Sequence, residues 1–273
     1  MMAKPLWITY LPSSPKKLVD ELMAVEPEDA ATVVLLREIE KDGGDAEIEV
    51  YMTKRHHHLN FVGGFYVFPG GKMDRQDLEP KNLKRCKGLG PEDAQRILVD
   101  SPDPSKSLAY WVTAIRELFE EAGILLAYNK EGKPINFEAE ELREKFFSYR
   151  RLIHGGKFTM GEMMVEEELF YAVDKLRYLS RWITPEFSPR RFDTRFFIAR
   201  LPEKQNPQHY KDEVAESDWT EPTLALSRWE MGDMNMIIPT LATLQDLAKF
   251  NSLTELFNAY KPRNIPLPKY SPL

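Results

Sequence analysis

The chain has 273 residues, 42% of them hydrophobic, enough to bury a substantial core as one large domain or two small ones. Its 43 acidic residues against 37 basic leave a net charge of −6, so no overall positive field would hold a nucleic-acid backbone, and a polyanionic ligand would need a local positive patch or a metal. The single cysteine, Cys86, excludes an intramolecular disulfide framework and suits a reducing compartment.

Met1 to Pro15 holds no uninterrupted apolar run with a cleavage site, and no later window approaches membrane-spanning length. The end, Ser271-Pro272-Leu273, lacks the basic middle residue of a peroxisomal Ser-Lys-Leu address. The chain therefore reads as cytoplasmic, with neither a membrane nor a nucleic acid as partner.

Ala30 to Leu36 and Ile48 to Thr53 are apolar or alternating runs on either side of Lys41-Asp42-Gly43-Gly44-Asp45, the chemistry of a strand hairpin. A third extended run, Phe65 to Phe68, is expected to stop at Pro69-Gly70-Gly71, where proline removes a donor and glycine permits unusual backbone angles. From Lys72 to Pro104 the composition turns polar, with a short helix predicted over Pro91 to Val99. A long helix follows, capped by Ser105 or Ser107 and running to about Leu126. Phe137 to Leu176 reads as charge-rich helix broken at Gly155-Gly156, a small cap beside the core. Tyr178 to Ile183 and Phe192 to Ala199 read as a strand pair, and Thr240 to Phe257 as a terminal helix ahead of a proline-punctuated surface tail.

The long helix concentrates the chemistry. Ile115, Leu118, Phe119, Ala122 and Leu126 form one apolar stripe. Glu117, Glu120 and Glu121, at i, i+3 and i+4, crowd together nearly opposite it. Like charges at this spacing cost roughly 0.2–0.5 kcal/mol per pair, a penalty a hard divalent cation converts into attraction. By itself such a trio is ordinary solubilising charge. Its setting is more specific, because Arg116 stands four residues before Glu120 and Gly123 follows directly.

The string Arg116-Glu117-Leu118-Phe119-Glu120-Glu121-Ala122-Gly123-Ile124 fits the second half of the Nudix box, R-E-U-x-E-E-x-G-U, at every fixed position, and the chain is identified as resembling the Nudix hydrolase superfamily. The first half of the box, G-x5-E-x7, is displaced. Gly71 is the candidate for its glycine, about 30 residues further upstream than an unbroken box allows, and Asp77 stands where its glutamate would. This interrupted box is similar to the coenzyme A and acyl-coenzyme A diphosphatase-like branch. A coenzyme A-associated pattern, L-L-T-x-R-[S/A]-x3-R-x3-G-x3-F-P-G-G, aligns without gaps onto Tyr51 through Gly71, matching Thr53, Arg55, Gly64, Phe68, Pro69, Gly70 and Gly71, with Asn60 in place of the second arginine. Trp182-Ile183-Thr184-Pro185 and Arg191 to Phe197 look like the same branch.

The resemblance implies an α+β fold, a Nudix-type α/β/α sandwich with a mixed sheet and helical insertions. It implies one domain over residues 1–273, with insertions at about 75–104 and 130–177 and a tail over 261–273. It also implies that Mg²⁺, or Mn²⁺, sits on Glu117, Glu120 and Glu121 and that water attacks a pyrophosphate bond in a nucleotide-type small molecule. Glu117 or a late-loop glutamate, Glu213 or Glu216, would take the proton, and Arg116 would hold a carboxylate in place. Arg55, Gly70 and Gly71 are expected at the substrate. Arg190, Arg191 and Arg195 suit phosphate oxygens, or equally a structural salt bridge to Asp193 or to a glutamate of the helical cap. His56-His57-His58 would alternate faces on a strand and so cannot readily share an ion; Phe196, Phe197 and Trp229 are read as core. Two rivals are a Nudix hydrolase of ADP-ribose or dinucleotide-type substrates and a non-catalytic nucleotide-binding Nudix sensor.

Overall fold

The computed structural model describes residues 25–40, 46–58, 62–101, 103–210 and 214–261. The readings made on Met1 to Pro15, the Lys41 to Asp45 turn, Asn60, Glu213 and the tail beyond Lys261 lie outside the described residues.

β1 (Glu28–Glu40) has four consecutive buried residues, Val33 to Leu36, the mark of a strand covered on both faces. Val33 and Leu35 join one hydrophobic cluster, Val34 and Leu36 the other, as strand alternation requires. β2 (Ala46–Arg55) pairs antiparallel with β1, as the hairpin reading expects. β3 (Tyr66–Val67) pairs with β2. The chain does not turn away at Pro69. Gly70–Lys72 forms a further strand, β4, antiparallel to the start of β1, and neither Gly70 nor Gly71 takes a positive φ. These glycines therefore serve close approach rather than backbone freedom.

Between β4 and the long helix lie a 3-10 turn (Arg75–Leu78) and two short helices, α1 (Pro80–Leu83) and α2 (Pro91–Ile97). The long helix, α3, spans Pro104–Ala122. Its cap is Asp103, not Ser105 or Ser107: the Asp103 carboxylate accepts the Lys106 amide at 2.8 Å, and Pro104 fills the first helical position, where its missing N–H is no loss. Gly123, at φ +69°, ends the helix one turn earlier than expected, so Leu126 is buried beyond it rather than on its stripe.

β5 (Ala127–Tyr128) and β6 (Phe170–Tyr171) make a small separate sheet that brackets α4 (Glu140–His154) and α5 (Met160–Glu166). The expectation of a cap standing beside the core needs correction. Phe146, Ile153, Met160, Met163 and Met164 are buried in the same cluster as α3 and β1, because these helices have no other partner for their apolar faces.

β7 (Leu176–Ile183) and β8 (Phe192–Arg200) are the expected antiparallel pair, and β8 lies parallel to β1. β9 (Val214–Thr220), read from sequence as a loop, pairs with β2 and extends the mixed sheet to seven strands. The far face is covered by α6 (Pro222–Glu230), α7 (Ile238–Leu247) and α8 (Leu253–Ala259), the last two replacing the single terminal helix expected there. Helices thus cover both faces of a mixed sheet, the sandwich that the resemblance implies. Phe196 and Phe197 are core, whereas Trp229 is 40% exposed on α6. No helix among the described residues is long and apolar enough to cross a membrane.

Candidate active site

The three glutamates lie on the last turns of α3, where the helix meets β4. The helix is not exposed on this side: Glu117 is buried, because β4 passes over it. A Cβ built on Gly71 would lie 2.6 Å from the Glu117 carboxylate, and one on Gly70 would strike Thr32 and the Ala31 carbonyl. The Gly70 amide, freed by this approach, donates to Glu121 Oε2 at 2.9 Å. Only residues without side chains allow β4 this close to both β1 and the acidic helix.

Arg116 organises the acidic face. Its Nε donates to Asp77 at 3.0 and 3.2 Å, Nη1 to Glu117 at 2.7 Å and Glu120 at 3.3 Å, and Nη2 to the Lys72 carbonyl at 2.7 Å and Asp77 at 3.0 Å. Asp77 is itself buried and fixed, accepting from Thr113 Oγ1 and the Asp74 amide, each at 2.9 Å. The aspartate found by counting six from Gly71 therefore closes the interrupted motif. The residues between Asp77 and α3 lengthen the chain without parting Asp77 from Arg116.

Burial disfavours the charge on Arg116, but Glu117, Asp77 and Glu120 hold its pKa well above the usual value. Glu117 is pushed up to about 8, chiefly by burial and then by the Glu121 and Glu120 charges, with Arg116 opposing. Glu120 is raised by burial as well, again against Arg116.

These carboxylates suit a hard cation in chemistry. They are oxygen donors carrying more negative charge than Arg116 alone relieves, and a divalent ion would supply the missing countercharge. They do not by themselves enclose one: among the described residues no three acidic, histidine or cysteine side chains are gathered as a metal cage. An open set suits Mg²⁺, which keeps several waters and is usually held by one or two carboxylates together with substrate phosphates.

Arg55, on the α3 side of β2, approaches Glu121 at 3.9 Å. The structure does not bring the other expected residues here. Glu216 lies in β9 opposite Lys54, whose side chain points to the face away from α3. There it accepts from Lys54 Nζ at 2.8 Å and from the Tyr66 hydroxyl, bonds that lower its pKa. Arg195 is fully buried against Asp193 and Asp100 and stacked over Tyr110, nearer the start of α3, so the salt-bridge alternative is the one it takes. Arg191 uses its guanidinium on the Thr184 and Val25 carbonyls, at 3.0 and 2.9 Å. His56 and His58 stack on each other.

Sequence reasoning missed one side of the site. Arg150 of α4 is buried, donates to the Glu120 carbonyl at 2.9 Å and lies over the Tyr210 ring. Tyr51 and Ser217 face the same space, and His209 Nδ1 is 2.6 Å from Ser217 Oγ. A signal existed: Phe146, Arg150 and Ile153 follow helical spacing, which sets a cation on an apolar stripe.

The NUDT19 Nudix domain family matches residues 28–247, from β1 to the last turn of α7. The chain belongs to the Nudix family. Among curated Nudix relatives, the acyl-coenzyme A diphosphatase NUDT19 of Xenopus laevis is 28% identical over 242 residues, and that of Homo sapiens 27% over 233; the matches cover 77% and 75% of this chain. In both cases the match spans 62% of the relative's length. A crystal structure of a NUDIX hydrolase from Alicyclobacillus acidocaldarius superposes with a TM-score of 0.65 at 26% identity, covering 86% of this chain and 96% of that one.

Proposed function

We propose that this protein is a divalent-metal-dependent hydrolase that cuts the pyrophosphate bond of a nucleoside-diphosphate-linked small molecule. The observation that carries the reading is the packing of Gly70 and Gly71 onto Glu121 and Glu117, with Arg116 bridging Asp77, Glu117 and Glu120 beside them. Mg²⁺ or Mn²⁺ held by Glu117, Glu120 and Glu121 would supply charge neutralisation on the diphosphate and a water acidic enough to attack in line. Arg116 acts through these carboxylates, fixing two of them while Asp77 fixes it. Of the three proton acceptors considered, Glu117 lies in the cluster, Glu216 does not, and Glu213 lies outside the described residues.

The substrate favoured is coenzyme A or an acyl-coenzyme A. Support comes from the names of the relatives and from the pattern running from Tyr51 to Gly71, which delivers Arg55 to Glu121. The products would be adenosine 3′,5′-bisphosphate and 4′-phosphopantetheine or its acyl form. Hydrolysis of coenzyme A, acyl-coenzyme A, ADP-ribose and NADH in Mg²⁺, with products identified by mass, tests this. Turnover of coenzyme A substrates first, reduced at least about a hundredfold in folded Glu120→Gln and Glu121→Gln proteins, is the expected result. Preference for ADP-ribose or NADH would move the substrate assignment, and absence of turnover on the whole panel would overturn the enzymatic reading.

A further inference from the structure

Arg150 is a cation the catalytic reading has not used. It projects from α4, is only 5% exposed, and forms no ion pair with a carboxylate among the described residues. Its Nε is accounted for by the Glu120 carbonyl, but Nη2 is buried with no hydrogen-bond partner there. Burial pulls its pKa down to about 10, so it remains charged at neutral pH. Helix capping explains one donor of the fork and leaves the rest unexplained, since a buried guanidinium with free donors is among the costlier features a fold can keep. On β2, across Glu121, the Nε of Arg55 is likewise buried and without a partner. Two orphaned guanidinium donors from two unrelated elements thus meet at the acidic turn of α3, Arg150 against the Glu120 carbonyl and Gly123, and Arg55 beside the Glu121 carboxylate.

We infer that Arg150 and Arg55 form the two walls of an anion cradle that takes phosphoryl oxygens of the substrate diphosphate next to Glu121. This rests on the proposed function for the identity of the anion, and it assigns to the α4 helix a direct part in substrate binding. Guanidinium forks match phosphate oxygens in geometry and charge, and Tyr210, lying over Arg150, keeps its head from swinging into solvent. The cation strengthens ground-state binding and transition state alike, so its loss falls mainly on KM.

The test is calorimetric titration of the full chain with inorganic pyrophosphate in Mg²⁺, using wild type, Arg150→Lys and Arg55→Gln. Arg150→Lys keeps the charge and the aliphatic stem but not the fork, and Arg55→Gln alters a partly exposed side chain, so both are expected to fold, as checked by circular dichroism. The expected result is pyrophosphate affinity at least about tenfold weaker in each variant, with KM raised more than kcat is lowered on whichever substrate the wild type cuts. Wild-type affinity in either folded variant, or no binding of pyrophosphate by the wild type, overturns the cradle. Should the wild type bind pyrophosphate through both arginines yet hydrolyse nothing, the cradle stands and the hydrolase reading falls; unaltered binding in variants of an active enzyme does the reverse.

Discussion

Asp77 and Gly71 show how single atoms set this site. Asp77 neutralises Arg116 where water has no access, and removing one partner of such a pair costs roughly 3–5 kcal/mol. Asp77→Ala should therefore lower unfolding free energy by about that much in urea titration and loosen Glu117 and Glu120, seen as a higher Mg²⁺ concentration needed for half-maximal turnover. Gly71→Ala asks a different question. Its methyl group would meet the Glu117 carboxylate at 2.6 Å, so the variant should lose activity out of proportion to a stability loss of about 1–3 kcal/mol. Activity near wild type in a folded Gly71→Ala protein would remove Glu117 from the mechanism. Both residues were legible in sequence as places in a displaced motif. Their contacts were not, because nothing local tells how the chain between Asp77 and Arg116, 39 positions apart, folds back.

At the scale of elements, α3 shows what a helix gains from its ends. Asp103 satisfies an amide at the start, and Gly123 takes a left-handed conformation at the finish, where it also makes room for Arg150. Asp103→Ala should cost about 1 kcal/mol, typical of a lost cap, and leave kcat unchanged, since the cap is four turns from the glutamates. A fall in kcat comparable to that of Glu120→Gln would mean that the helix start governs the site. The apolar stripe announced α3 and the glutamates announced their shared face, but β9 was read as loop. Its sequence, Val214-Ala215-Glu216-Ser217-Asp218-Trp219-Thr220, is polar at alternate or adjacent positions, and it becomes a strand only because β2 offers an edge to pair with. That pairing turns Glu216 to one face of the sheet and Ser217 to the other. No property of the heptapeptide alone decides between them.

At the scale of the whole molecule, the buried acidic cluster couples stability to pH. Glu117 has a folded-state pKa of about 8 against an ordinary 4.5, so between these values the folded chain holds a proton that the unfolded chain has released. Metal-free protein should then lose stability as pH rises through this window, by at most about 1.4 kcal/mol per pH unit from this one group. Mg²⁺ binds the deprotonated cluster, so it should stabilise more at pH 8 than at pH 6. Thermal unfolding in chelator and in Mg²⁺ at both pH values checks this; a metal-free melting temperature that rises from pH 6 to pH 8 would contradict the buried-cluster account.

Sequence alone determined the parts whose signals are local: the hairpin of β1 and β2, the acidic face and apolar stripe of α3, the membership of Glu117, Glu120 and Glu121 in one motif, and the pairing of β7 with β8. Periodicity and motif spacing suffice there because each signal is complete within a few turns or one strand. Tertiary structure decided everything that required two distant segments to meet. It brought Asp77 to Arg116 and β4 onto the acidic helix, turned Glu216 away, committed Arg195 to Asp100, and set Arg150 of α4 against the Glu120 carbonyl. Burial and charge pairing are properties of neighbours in space, and these neighbours stand tens to more than a hundred positions apart along the chain.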